Sequence, residues 1–116
     1  MPGISIHVVD VTRGVVAVGM HIEVRRVTPH RAAIASGRTN ASGLLAHPTL
    51  AAQFEPGEFD AIFAVADYYR SAAIALPDPP FLTVVHYRFG LADGLQHYHL
   101  PFKVTPWGYS CFRGGA

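Results

Sequence analysis

Charged residues are scarce in this chain and cysteine is nearly missing. Lys and Arg together number 9 and Asp and Glu 8 in 116 residues, so charged side chains make up 15% and the formal net charge is +1. Apart from the Arg25-Arg26 pair the basic residues are scattered, which leaves no polyanion-binding stripe and makes nucleic acid an unexpected partner. The lone Cys111 excludes an intrachain disulfide and a zinc site built on several cysteines. It reads as a small apolar filler on the last strand, the usual place of a free thiol. No apolar run reaches the roughly 20 residues that span a bilayer. The start, Met1-Pro2-Gly3-Ile4-Ser5-Ile6-His7, has neither the charged segment nor the long apolar stretch of a secretory signal. A cytoplasmic protein without a membrane partner is the expectation. With no internal repeat, low-complexity tail or linker, residues 1–116 read as a single domain.

Apolar residues, by contrast, make up 50% of the chain. A domain this size buries about two thirds of its unfolded surface, so such a balance leaves apolar area outside, to be covered by other subunits. Turn chemistry at Arg13-Gly14, Thr28-Pro29, Ser42-Gly43, Glu55-Pro56-Gly57, Asp93-Gly94 and Thr105-Pro106 divides the chain into short extended runs. These fall near 4–9, 17–27, 30–37, 43–45, 59–66, 82–91, 96–104 and 107–113. Asp67 reads as the cap of one short helix over Tyr68 to Ala75, stopped by Leu76-Pro77. Eight short strands with regular turn signals predict an all-β sandwich.

Seven histidines stand out in so small a chain. Period-2 alternation puts Ile4, Ile6 and Val8 on one face of the first strand, with Ser5, His7 and Val9 on the other. In Gln96 to Val104 it likewise separates Tyr98, Leu100, Phe102 and Val104 from His97, His99 and Lys103. The apolar sets fill the core, so the imidazoles face outward, a placement suited to acid–base chemistry near neutral pH. Three converging histidines could also ligate a metal. No Asp or Glu lies beside them on the same strands to act as an outer partner, and acid–base work ranks first. His21, His30 and His86 carry no functional signal.

The segments Ile6-His7-Val8-Val9-Asp10 with Arg13-Gly14, Ala35 to Gly43, His97-Tyr98-His99-Leu100-Pro101 and Pro106 to Gly115 together resemble the transthyretin-like family, in its 5-hydroxyisourate hydrolase branch. There the first strand carries a THVLD-like run and the end reads approximately HYHVPLLLSPYGYSTYRGS. The resemblance implies a transthyretin-like eight-stranded sandwich assembled as a homotetramer, a dimer of dimers whose channel is lined by the histidine face. It implies ring-opening hydrolysis of a small heterocyclic substrate without a cofactor or metal, with His7 and His99 catalytic. Substrate contacts would come from His97 and Leu44, and from Ser110, Phe112, Arg113, Gly114 and Gly115 at the end.

Two departures qualify that carry-over. Thr39-Asn40-Ala41-Ser42-Gly43-Leu44 aligns with a family motif like TNADGR and puts Leu44 where the arginine stands. Phe112-Arg113-Gly114-Gly115 replaces the closing YRGS, removing two hydroxyls. Arg38, Arg113 or His47 could compensate for the missing charge. Otherwise the fold would serve another small heterocycle or carbonyl compound, for example in biosynthesis, or would bind a small molecule without turnover.

Overall fold

The computed structural model describes residues 2–115. Strands β1 (Gly3–Asp10), β2 (Val15–Val16), β3 (His21–Arg26), β4 (Ala32–Arg38), β5 (Gly57–Phe63), β6 (Val85–Leu91), β7 (His97–Thr105) and β8 (Gly108–Cys111) form two four-stranded sheets. One has the order β2-β1-β7-β8 and the other β4-β3-β5-β6. All pairings are antiparallel except β1 with β7, which run parallel over the full length of β1. This is the expected eight-stranded sandwich with one helix.

The alternation in β1 and β7 is what orients the first sheet. Ile4, Ile6 and Val8 from β1 and Tyr98, Leu100, Phe102 and Val104 from β7 are buried, while Ser5, His7, Val9, His97, His99 and Pro101 are half-buried on the opposite face. Between the sheets Phe102 stacks on Phe63 of β5 with ring centroids 3.8 Å apart and planes within 9°. Truncating a buried aromatic of this kind costs about 3–5 kcal/mol. The core therefore holds β7 rigidly by one face and presents the imidazoles on the other.

The structure revises the sequence expectations in the strands beside β1 and in the helix. The run at 43–45 is no strand: it makes a single antiparallel bridge, His7 with Leu44, flanked by Val8 N–H to Gly43 O and Leu45 N–H to Ile6 O. The strand beside β1 on that edge is instead β2, a two-residue piece that precedes the expected 17–27 run, and that run is a strand only over β3. A 3-10 turn at Pro48–Ala51, with no sequence expectation behind it, packs on β1. Helix α1 spans Val65–Ser71 rather than Tyr68 to Ala75, and Ala64, not Asp67, is its N-cap. Backbone carbonyls of other segments do the capping: Ala64 N–H donates to His21 O and Ala66 N–H to Thr83 O. Asp67 sits in the first turn and pairs with Arg70 on the exposed face. The helix ends well before Pro77, at Ala73 with φ 59°, where Ala73 N–H bonds Arg70 O and Ile74 N–H bonds Tyr69 O. That is a Schellman ending with alanine in the position that favours glycine.

Tyr68 and Tyr69 of α1 reach across to Asp10, the fully buried last residue of β1, each donating a 2.9 Å hydrogen bond to its carboxylate, with Arg13 adding another at 2.8 Å. Burial by itself would raise the Asp10 pKa. Hydrogen bonds from Arg13, Tyr69 and Tyr68 outweigh it and hold the carboxyl below its ordinary value. No helix among the described residues is long and apolar enough to cross a membrane.

Candidate active site

The parallel register of β1 and β7 sets Ser5 beside His99, Gly3 beside His97 and His7 beside Pro101. Three polar side chains meet there. Ser5 Oγ lies 2.7 Å from His97 Nε2 and 2.6 Å from His99 Nδ1, and His97 Nδ1 faces the Pro2 carbonyl at 3.3 Å. One step further along β1, His7 donates from Nε2 to the Ser42 carbonyl at 3.0 Å. A carbonyl oxygen only accepts, so this bond leaves His7 Nδ1 as the bare ring nitrogen of the neutral imidazole.

The loop that receives His7 is held tightly. Asn40 Oδ1 accepts from Ser42 N–H (2.9 Å) and Leu44 N–H (3.1 Å), closing the turn around Gly43. Gly43 has φ 77°, and a Cβ there would lie 2.8 Å from the Val8 carbonyl oxygen and 3.3 Å from His7 Cδ2. Only glycine fits this close approach with left-handed backbone. Gly114 does the same for the other histidine. Its N–H bonds the His99 carbonyl at 2.7 Å, and a Cβ would stand 2.9 Å from His99 Cδ2 and 3.1 Å from Pro101 Cγ. The chain end is thereby laid along His99.

Burial lowers the His99 pKa below its ordinary 6.5, and repulsion from His7 and then His97 lowers it further. A neutral imidazole at pH 7 is the consequence, available as a proton acceptor.

The remaining sequence-derived candidates divide between the two faces. Leu44 borders His7 across the bridge and is 37% exposed. Ser110 pairs with Lys103 on the outward face, where Lys103 Nζ lies 5.9 Å from the centre of the exposed Phe112 ring. Gly115 is exposed with no neighbour where a Cβ would stand. Arg113 turns the other way: its guanidinium lies 3.9 Å over the ring of core-side Tyr98 and donates to Gln96 Oε1 and the His97 carbonyl. Arg38 belongs to the second sheet and donates to the Gly19 carbonyl. His47 accepts from Thr49 N–H at Nδ1 and caps the 3-10 turn. Within one protomer neither Arg38 nor His47 has its side chain bonded to the imidazole cluster.

Ser5 and Ser42 carry no signal of their own in the sequence. Ser5 lies two residues before His7 and so shares its face, which is the one clue that alternation offered. Cys111 is half-buried and burial pushes its thiol up to about 11, in keeping with a filler role. Among the described residues no group of three or more His, Cys, Asp or Glu side chains is gathered to hold a metal. A cavity of about 260 Å³ lies on the second sheet, lined by Arg25, Arg26, Val27, Arg31, Ala32, Ala33 and Asp60, and contains none of the histidines. Arg26 spends its donors on the Thr28 and Glu55 carbonyls, and Arg88 donates to Asp60.

Residues 4–114 match the model of the HIUase/Transthyretin family. The chain is 40% identical over 116 residues to a protein of Ralstonia nicotianae named 5-hydroxyisourate hydrolase, covering 98% of this chain and 99% of that one. It is also 40% identical over 113 residues to 5-hydroxyisourate hydrolase 2 of Rhizobium meliloti, covering 96% and 94%. Among solved structures it resembles an (S)-allantoin synthase with a TM-score of 0.91 and 30% identity, over 97% of this chain and 43% of that longer one. It resembles Klebsiella pneumoniae 5-hydroxyisourate hydrolase with a TM-score of 0.81 and 26% identity, over 99% and 100%.

Proposed function

The chain belongs to the HIUase/Transthyretin family, and from that premise we propose that it is a ring-opening hydrolase of 5-hydroxyisourate, a step of purine breakdown. The observation that carries this reading is the Ser5, His7, His97 and His99 cluster on the outer face of β1 and β7, in a chain that is 40% identical over almost its whole length to proteins of that name. Cleaving a cyclic amide needs a base for water, polar groups for a flat heterocycle and a proton for the departing nitrogen. His99 is the base. Its bare nitrogen takes a proton from water as the water oxygen adds to the amide carbon and the carbonyl electrons move onto oxygen. Collapse of that intermediate breaks the ring C–N bond, and His99 returns its proton to the leaving nitrogen. His7 accepts a substrate N–H or hydroxyl at Nδ1 and so fixes the ring. No cofactor or metal is called on.

The working assembly in this proposal is a homotetramer, a dimer of dimers, with the imidazole faces lining the channel between dimers. Leu44 and Phe112, 37% and 45% exposed at the border of that face, support a covered rather than a solvated site. A cytoplasmic location belongs to the same proposal.

His99→Asn keeps much of the size and removes the base, so turnover of freshly generated 5-hydroxyisourate, followed by ultraviolet absorbance above its spontaneous decay, should fall by about 10²–10⁴. Because the reactive form is the neutral one and its pKa is lowered, wild-type kcat should rise with pH along a limb centred below 6.5 and be level at neutrality. Wild-type turnover indistinguishable from spontaneous decay would overturn the reading. It would favour a second one, to which Leu44 at the His7 bridge points: a site reshaped for a less polar heterocycle.

A further inference from the structure

Which nitrogen of His99 carries the proton follows from groups that are themselves unable to choose. Pro2 contributes a carbonyl, an acceptor only, so its 3.3 Å contact requires the proton of His97 to be on Nδ1. With a single ring proton, His97 then has a bare Nε2. That nitrogen, 2.7 Å from Ser5 Oγ, accepts the one proton the hydroxyl owns. Having given its proton to His97, Ser5 meets His99 Nδ1 at 2.6 Å with a lone pair, and Nδ1 must supply the hydrogen. Every link therefore points the same way, from His99 through Ser5 and His97 to Pro2. The last atom of the series, His99 Nε2, makes no hydrogen bond among the described residues and lies on the ring edge over which Gly114 is laid.

We propose that Ser5 and His97 are positioning residues that lock neutral His99 as the Nδ1–H tautomer, making Nε2 the proton-accepting atom of the site. The assignment of Nε2 as the working base rests on the hydrolase reading above; the tautomer itself does not. When Nε2 takes a proton, the Nδ1–H to Ser5 bond keeps its direction and strengthens as a bond from a cation. No link has to reverse during turnover, and no proton has to travel along the series. The ring is held at one nitrogen and free to react at the other. The outer partner of a metal-ligating imidazole fixes tautomer and ring orientation in the same way, and its loss typically costs about 10–100-fold.

The experiment uses the full chain labelled with 15N in its histidine rings. Two-bond proton–nitrogen correlation spectra at pH 8 separate a protonated from a bare ring nitrogen, and comparison with His99→Asn identifies the His99 pattern. Nδ1–H with bare Nε2 is expected in the wild type and in Ser5→Thr, which retains the hydroxyl. In Ser5→Ala the pattern should change to Nε2–H or to a mixture, and kcat for 5-hydroxyisourate should fall about 10–100-fold with a smaller change in KM, restored in Ser5→Thr. Wild-type His99 in the Nε2–H form, or a Ser5→Ala variant with the Nδ1–H pattern intact, would overturn the inference even if the enzyme is active. A wild type that shows Nδ1–H but does not turn over 5-hydroxyisourate would uphold it and overturn the proposed substrate instead.

Discussion

At the scale of single residues, the isobutyl group of Leu44 borders His7 at the position to which the family resemblance assigns an arginine. A charged hydrogen bond to a substrate oxygen contributes about 1.5–3 kcal/mol, so its absence should weaken 5-hydroxyisourate turnover. Leu44→Arg together with Phe112→Tyr and Gly115→Ser returns the charge and both hydroxyls. The triple variant should raise kcat/KM by about tenfold or more, one factor of ten for each 1.4 kcal/mol regained. Leu44→Arg alone should gain less, because an arginine introduced without the two hydroxyls pays desolvation its contacts do not return. A folded triple variant with unchanged kcat/KM would exclude the missing arginine as the limiting feature. Alternation alone placed His7, His97 and His99 on the outer face, because period-2 patterning survives in any strand with one buried side. Ser5 was illegible as a site residue, since one hydroxyl in an apolar strand has meaning only through the β1–β7 register. Arg113, which the resemblance assigns to the substrate, has its guanidinium over the Tyr98 ring, a contact that only the folded chain reveals.

At the scale of elements, the strands were readable wherever a turn residue and an apolar alternation agreed, as in β5, β6 and β7. What escaped depends on partners distant in sequence. The 43–45 run has strand-like composition, but only one bridge forms because β2 and this run share the same edge of β1. Helix α1 starts early because carbonyls from His21 and Thr83 satisfy its first N–H groups, which no local cap residue announces. It stops early because Ala73 takes a left-handed conformation, disfavoured for an L-residue by about 1–2 kcal/mol. Ala73→Gly should therefore stabilise the protein by about 1 kcal/mol, seen as a higher urea midpoint with the slope unchanged. A lower midpoint would mean that the alanine methyl contributes more by packing than it costs in strain.

At the scale of the whole molecule, the exposed Leu44 and Phe112 beside a face of imidazoles give the proposed tetramer its testable form. Light scattering at micromolar concentration should report four copies, and Leu44→Asp should shift the population toward dimers, since a buried unpaired carboxylate is costly. A monomeric wild type would remove the channel. The parallel pairing of β1 with β7 has a consequence in time as well as in space. Ser5 and His97 are separated by 92 positions and Ser5 and His99 by 94, so during synthesis β1 waits for β7. At about 5–20 residues per second, that interval spans several seconds in which β1 has no central partner and offers an open edge to other chains. No fragment that stops short of His97 can hold any part of the cluster except His7 and Ser5, and so the central pairing of the first sheet and the proposed site come into being together, only once β7 has been made.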